Sequence, residues 1–144
     1  MTPSDGADRA RMIQWMSAVI DYFYPDIIRR CVLEYVFPSG PDGQPDRGKI
    51  EAGLEAARHH LGVANETLAQ SPYLAGSTLS LADLLLAPIV FYAAGLPDGG
   101  PLMAECNNLG RWFAELSARP SFKATAPPPP PYSGSCRIGT AMRF

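Results

Sequence analysis

Asp83 lies in "STLSLADLLLAP", residues 77–88, inside a nearly unbroken run of leucines, alanines and aromatics that continues to Ala94. A lone carboxylate in apolar surroundings is costly unless it is paired or hydrogen-bonded. It therefore does chemistry or has a local partner. Ser80 stands three residues before it, and Ser-x-x-Asp has the spacing of a capping box. In that box Ser80 accepts a hydrogen bond from the Asp83 amide, and the Asp83 carboxylate reaches back to the Ser80 amide. Leu79 and Leu84 fall where a hydrophobic staple needs them. The positive end of the helix dipole also favours a carboxylate there. The reading preferred for Asp83 is structural, a helix cap rather than a catalytic acid.

Ser17, Asp21 and Tyr24 form a second set, at i, i+4 and i+7. On an α-helix they share one face, about 140° from the apolar stripe of Met12, Trp15, Met16, Val19 and Phe23. A hydroxyl or carboxylate on such a face can orient a thiol or an electrophile through hydrogen bonds. A plain solvent-exposed helix face is the other reading, and both stand on sequence alone. His59 and His60 are adjacent, so they point in different directions, and no Cys, Asp or Glu stands at ligand spacing; no metal site is expected. Cys31 falls on a helical stripe and reads as a core thiol. Cys106 lies near a helix start, where a thiolate is favoured, and ordinary reactivity is expected of it. Trp15 and Trp112 read as core aromatics. There is no GxGxxG, P-loop or triad arrangement, so no catalytic residue is assigned.

These residues need helices to position them. The stripe from Met12 to Phe23 predicts a first helix from about Ala7. Pro25 predicts a kink or a break with quick restart, since Ile27, Ile28, Cys31, Val32 and Tyr35 resume helical spacing. "FPSGPDGQPD", 37–46, must be a loop. Asp46 can cap the next helix, where Ile50, Leu54, Ala57, Leu61, Ala64 and Leu68 step by four and three. That seam calls for adjacent helices, and packing must compensate for Gly48, Gly53 and Gly62. The segment 81–94 is apolar almost all round, which marks a central buried helix, bent at Pro88. "LPDGGP" predicts a second loop. Leu109, Trp112, Phe113 and Leu116 stripe another helix, and Pro120 can open a last short one through Thr125. Sustained alternation is missing, so no sheet is expected.

The bulk properties exclude several classes. The chain has 144 residues, 47% of them apolar and 18% charged, with a net charge of −2. That suits one globular domain and speaks against nucleic-acid binding, which wants a basic face. The run at 81–94 is shorter than the roughly 18 residues of a membrane span. No signal peptide is read at the start. Cys31, Cys106 and Cys136 are scattered, without CxxC, as free thiols are in the cytoplasm. Asn65-Glu66-Thr67 matches a glycosylation sequon inside a helical pattern and is read as chance.

"SPYLAGSTLSLADLLLAP", with "RARMIQWMSAVIDYFYP" before it and "RWFAELSARPSFKAT" after it, resembles the C-terminal helical domain of cytosolic glutathione S-transferases. The resemblance covers residues 7 to 125. In that family the Ser/Thr-x-x-Asp box opens the central helix, here at Ser80 and Asp83. It implies an all-α bundle of about five to six helices without a sheet. The organisation expected is a flexible 1–6, a helical domain at 7–126 and a Pro-rich disordered tail at 127–144. By resemblance, such a domain supplies the electrophile side of a conjugating site and part of a dimer contact. Glutathione is the co-substrate, held and activated by a thioredoxin-like domain that this sequence does not show, so the chain is expected to be inactive alone. The Ser17, Asp21 and Tyr24 side would face the cleft beneath that domain. The partners implied are a hydrophobic electrophile and either a second copy or a separate thioredoxin-like chain, in the cytoplasm. The alternative is a non-enzymatic helical interaction or dimerisation module.

Overall fold

The first long helical rod starts where Asp5 accepts hydrogen bonds from the amides of Ala7 and Asp8, at 2.9 and 3.1 Å. Helix α1 then runs Gly6–Ala18. Residues just before it are tied down as well: Pro3 is buried, and the Arg9 guanidinium donates to its carbonyl. The rod continues as a π-helical segment, Val19–Val32, and ends in a short α2, Leu33–Val36. In this computed structural model, which describes residues 1–128, Pro25 lies inside a continuous helix, so of the two expected alternatives the break with restart does not occur. Proline lacks an N–H and clashes with the carbonyl four residues back. A wider turn bonding five residues back removes that conflict, and the Leu33 amide indeed bonds to the Ile28 carbonyl.

The loop after α2 is clamped by one carboxylate. Glu34 is buried, and it accepts from the Ser39 amide at 2.6 Å, the Ser39 hydroxyl at 3.0 Å and the Asp46 amide at 2.9 Å. Lys49 Nζ lies 3.7 Å away. The Asp46 and Ser39 donors hold the carboxyl below the usual glutamate range. Asp46 itself caps α3, Arg47–Gln70, through the Lys49 amide. A second tie joins three elements here: the Tyr35 hydroxyl donates to Asp98 at 2.7 Å and accepts from Arg47 at 2.9 Å.

The seam of α3 is buried at Ile50, Ala57, Leu61, Ala64 and Leu68, with Leu54 half-buried. It packs against the π-helical segment on one side and α6 on the other. Gly53 sits at the closest approach. A Cβ there would lie 2.6 Å from Cys31 Sγ and 2.8 Å from the Asp26 carbonyl. The glycine that weakens the helix locally is thus what lets the two helices meet.

Helix α4, Leu81–Gly95, is the central element, packed against the π-helical segment, α1, α5 and α6. Its buried side chains include Leu86, Ile89, Val90 and Ala93. Where "LPDGGP" suggested only a loop, a short α5 begins, Gly99–Ala104. Pro101 is tolerated in its first turn, where no amide partner is needed. A side chain at Gly99 would run into the Ala93 carbonyl, so glycine permits this tight entry. Then come α6, Asn107–Ser117, and α7, Pro120–Thr125. Among the described residues the only bridge is the isolated pair Tyr73 and Gly76, so the fold is all-α. Of the proline-rich tail, residues 129–144 lie outside the described residues.

Gly53→Ala should overpack the α3 contact and cost about 1–3 kcal/mol, whereas Gly62→Ala, with nothing within 4 Å, should gain about 0.5–1 kcal/mol. Urea denaturation reads both, and equal effects contradict the close-approach account. Because the folded Glu34 carboxyl titrates lower than in the unfolded chain, its contribution is full above the unfolded value and is lost as pH falls through the folded one. Glu34→Gln should therefore flatten the acid limb of the stability profile; an unchanged limb rules the clamp out as its source.

Candidate functional site

Asp83 is fully buried and receives four donors. The Ser80 amide and hydroxyl donate to Oδ2 at 2.9 and 2.7 Å. The Leu74 amide and Trp112 Nε1 donate to Oδ1, both at 3.0 Å. The reciprocal capping contacts between Ser80 and Asp83 are present. All four donors are neutral, so the charge is held by dipoles and by the helix terminus rather than by an ion pair. Every lone pair that could meet a substrate is directed to a fixed internal partner. The indole of Trp112 on α6 and the backbone of the turn before α4 are the two partners that the local spacing did not reveal.

Capping across elements recurs on α6, whose N-terminus has no side-chain cap of its own. Asn65, on α3, accepts from the Asn108 and Leu109 amides at 2.9 and 3.2 Å. The sequon residue is thereby engaged inside the fold. Arg111 returns the link by donating to the Leu68 carbonyl at 2.8 Å, near the C-terminus of α3.

The surface able to receive a small molecule lies beside α4. A groove of about 420 Å³ runs between the π-helical segment and α4, lined by Val19, Ile20, Tyr24 and Ile28 on one wall and Leu85, Pro88, Ile89 and Tyr92 on the other. Its lining is almost wholly apolar. Tyr24 is 44% exposed, and its hydroxyl has no hydrogen-bond partner among the described residues. Such a site suits a hydrophobic ligand with one polar atom to meet the phenol. Of the three residues grouped by spacing, the structure brings Tyr24 alone to this groove. Ser17 and Asp21 are exposed and lie outside its lining. The helix changes from α to π at Val19, between Ser17 and the other two.

The remaining candidates are structural in their surroundings. Cys31 is buried, with Sγ 3.4 Å from the Asp26 carbonyl and 3.7 Å from that of Ile50. Burial, then the charges of Asp26 and Asp98, push its thiol up to about 12. Cys106 stands at the start of α6, yet burial, with Glu105 beside it, raises its thiol too. Desolvation outweighs the helix end here. His60 Nε2 lies 2.8 Å from Asp26 Oδ2, and Asp26 also pairs with Arg30 at 2.8 Å. The sequence reading missed this cross-helix pair, because its members are far apart in the chain. Among the described residues no group of three His, Cys, Asp or Glu could hold a metal.

Comparison with known proteins places these features in a family. Residues 23–120 match the family described as "Glutathione S-transferase, C-terminal domain". Glutathione S-transferase F9 of Arabidopsis thaliana is 28% identical over 118 residues, covering 82% of this chain and 54% of that protein. The probable glutathione S-transferase GSTF1 of Oryza sativa is 32% identical over 118 residues, with 81% and 53% covered. Among solved structures, poplar glutathione transferase F1 superposes with a TM-score of 0.73 at 28% identity, covering 85% of this chain and 56% of that one. The chain spans about half the length of the curated relatives it matches.

Asp83→Ala strands three buried N–H donors and should cost about 3 kcal/mol or more. In a cycle with Trp112→Phe, denaturant unfolding should show coupling of about 1 kcal/mol; additive effects would remove the indole from the network.

Proposed function

Since the chain belongs to the glutathione S-transferase C-terminal domain family, we propose that it supplies the electrophile side of a thiol-conjugating site and is not active alone. The apolar groove with the uncommitted Tyr24 hydroxyl carries this reading. A hydrophobic electrophile lies between Ile20 and Ile28 on one wall and Leu85 and Ile89 on the other. The Tyr24 phenol donates to the polar atom at which charge develops when a thiolate adds, and so stabilises that charge. Ser17 and Asp21, two turns and one turn before it, would face the incoming thiol.

The thiol is that of glutathione, and its activation comes from a thioredoxin-like domain on the other side of the groove. The chemistry is nucleophilic addition: the sulfur forms a bond to the electrophilic carbon, and a leaving group or a protonated adduct takes the electron pair. Here the described chain offers no nucleophile of its own, since both of its described thiols are buried and raised. We take 7–126 as the functional unit and assign it to the cytoplasm, in keeping with those free thiols. No helix among the described residues is long and apolar enough to cross a membrane. A homodimer is compatible with the exposed Ile13, Tyr22 and Val63, which lie away from the groove.

Mixing the chain with the separately expressed N-terminal half of poplar glutathione transferase F1 tests this on glutathione resin. Retention is expected only with that half present, and the mixture should conjugate 1-chloro-2,4-dinitrobenzene. Tyr24→Ala should raise KM for the electrophile about tenfold, a loss of about 1.4 kcal/mol, and leave KM for glutathione unchanged. Failure to be retained in the mixture, or a Tyr24→Ala effect on glutathione alone, defeats the assignment.

A further inference from the structure

The groove between the π-helical segment and α4 holds a second phenol that the proposed function leaves unused. Tyr92 lines it from α4, on the wall opposite Tyr24. Its side chain is half-buried, and its hydroxyl has no hydrogen-bond partner among the described residues. The two hydroxyls sit at different depths. Leu96 clusters with Cys31 and Val32, and Ile28 and Tyr92 both pack against that cluster. Farther on, the Tyr35 hydroxyl is tied to Asp98, just past the end of α4. The first helical rod and α4 therefore run in the same direction, and Tyr92 marks the Ile28 end of the groove. Tyr24 lies about one helical turn before Ile28. Leu85, toward the other end, is about 10 Å from Tyr92 along the axis of α4. No Asp, Glu, Lys, Arg or His belongs to the lining. A charged group placed there loses water without gaining a partner, which is strongly unfavourable. An uncharged body with an acceptor for each phenol satisfies both hydroxyls.

We propose that Tyr92 is a specificity-determining residue of this groove, and that it selects uncharged, elongated electrophiles carrying two hydrogen-bond acceptors on one apolar body. The inference rests on the electrophile reading of the groove and narrows its substrate class. Tyr24 takes the acceptor conjugated to the reacting carbon. Tyr92 takes a second acceptor, a carbonyl or an ether oxygen, farther toward Ile28. The length between Leu85 and Tyr92 admits one aromatic ring with a short chain. Electrophiles of the same shape that carry a carboxylate are turned away, because the lining supplies no cation. A site that hydrogen-bonds a ligand oxygen also discriminates against the analogue lacking it.

Unreactive ligands test this on the full chain alone, without glutathione or a second half. Anisylacetone carries a ketone and an ether oxygen, benzylacetone carries the ketone only, and phenylbutyrate is the anionic match. Equilibrium dialysis should show anisylacetone bound about fivefold tighter than benzylacetone, the effect of one hydrogen bond. Phenylbutyrate should bind at least about tenfold more weakly than benzylacetone. Tyr92→Phe removes a single hydroxyl; it should bring the two ketones to equal affinity and leave benzylacetone unchanged. Tyr24→Phe should weaken both ketones alike. Equal affinity of the ketones in the unsubstituted chain, a preference that survives Tyr92→Phe, phenylbutyrate bound as tightly as benzylacetone, or no binding of any of the three would each overturn the proposal. The outcome is separable from the electrophile reading itself. Conjugation by the reconstituted mixture without the ketone pattern keeps that reading and rejects the role of Tyr92. The ketone pattern without conjugation keeps the selectivity of the groove and rejects its place in a conjugating site.

Discussion

A carboxylate with no access to water has to be satisfied from within, and Asp83 achieves this by drawing four neutral donors to one point. Two come from the residue that begins α4, one from the turn before it, and one from an indole on α6. Each tie fixes an element that sequence distance alone would leave loose. The start of α4 cannot move without breaking Ser80 from the carboxylate. The preceding turn cannot swing out without exposing the Leu74 amide. Helix α6 cannot slide along α4 without withdrawing Trp112. The apolar groove beside Tyr24 is framed by α4, so its shape depends on this buried charge even though the charge lies outside its lining.

The same logic explains why several polar groups that invite a chemical reading are better understood through their partners. The oxygens of Glu34 are occupied by the loop it closes. Asn65 matches a sequon by chance, and its side chain caps the start of another helix. Cys106 occupies a position where the helix dipole would lower a thiol, but removal from water has the larger effect. In each case the energetic cost of leaving a polar group unpaired, or a charge unsolvated, decides the outcome.

What was legible in the sequence was whatever repeats locally. The four-and-three spacing from Ile50 to Leu68 marked the seam of α3, and Ser80 with Asp83 marked the start of α4. The stripe at Leu109, Trp112, Phe113 and Leu116 marked α6. The family resemblance rested on the stretches around Ser80 and Trp112 and on residues 9–25. The unread part is what depends on distant neighbours. His60 meets Asp26 across 34 positions, and Asn65 reaches residues more than 40 positions away. The widening of the helix at Val19 was hidden too, because Pro25 signals a conflict in hydrogen bonding without saying how it is resolved. Tyr24 lines the groove beside α4, and that neighbour is not visible from its own helix.

Helix α6 borrows its N-terminal cap from α3 and returns a cap to the end of that helix. Neither helix is therefore complete as an isolated piece. In folding terms, the amphipathic stripe of α6 gains its first-turn hydrogen bonds only after a contact of long sequence separation has closed. Helices joined by local turns usually assemble early and piecemeal. This exchange of caps couples the middle of the chain to its last third, and it favours opening of α3 and α6 as one cooperative unit rather than by fraying from the C-terminal end.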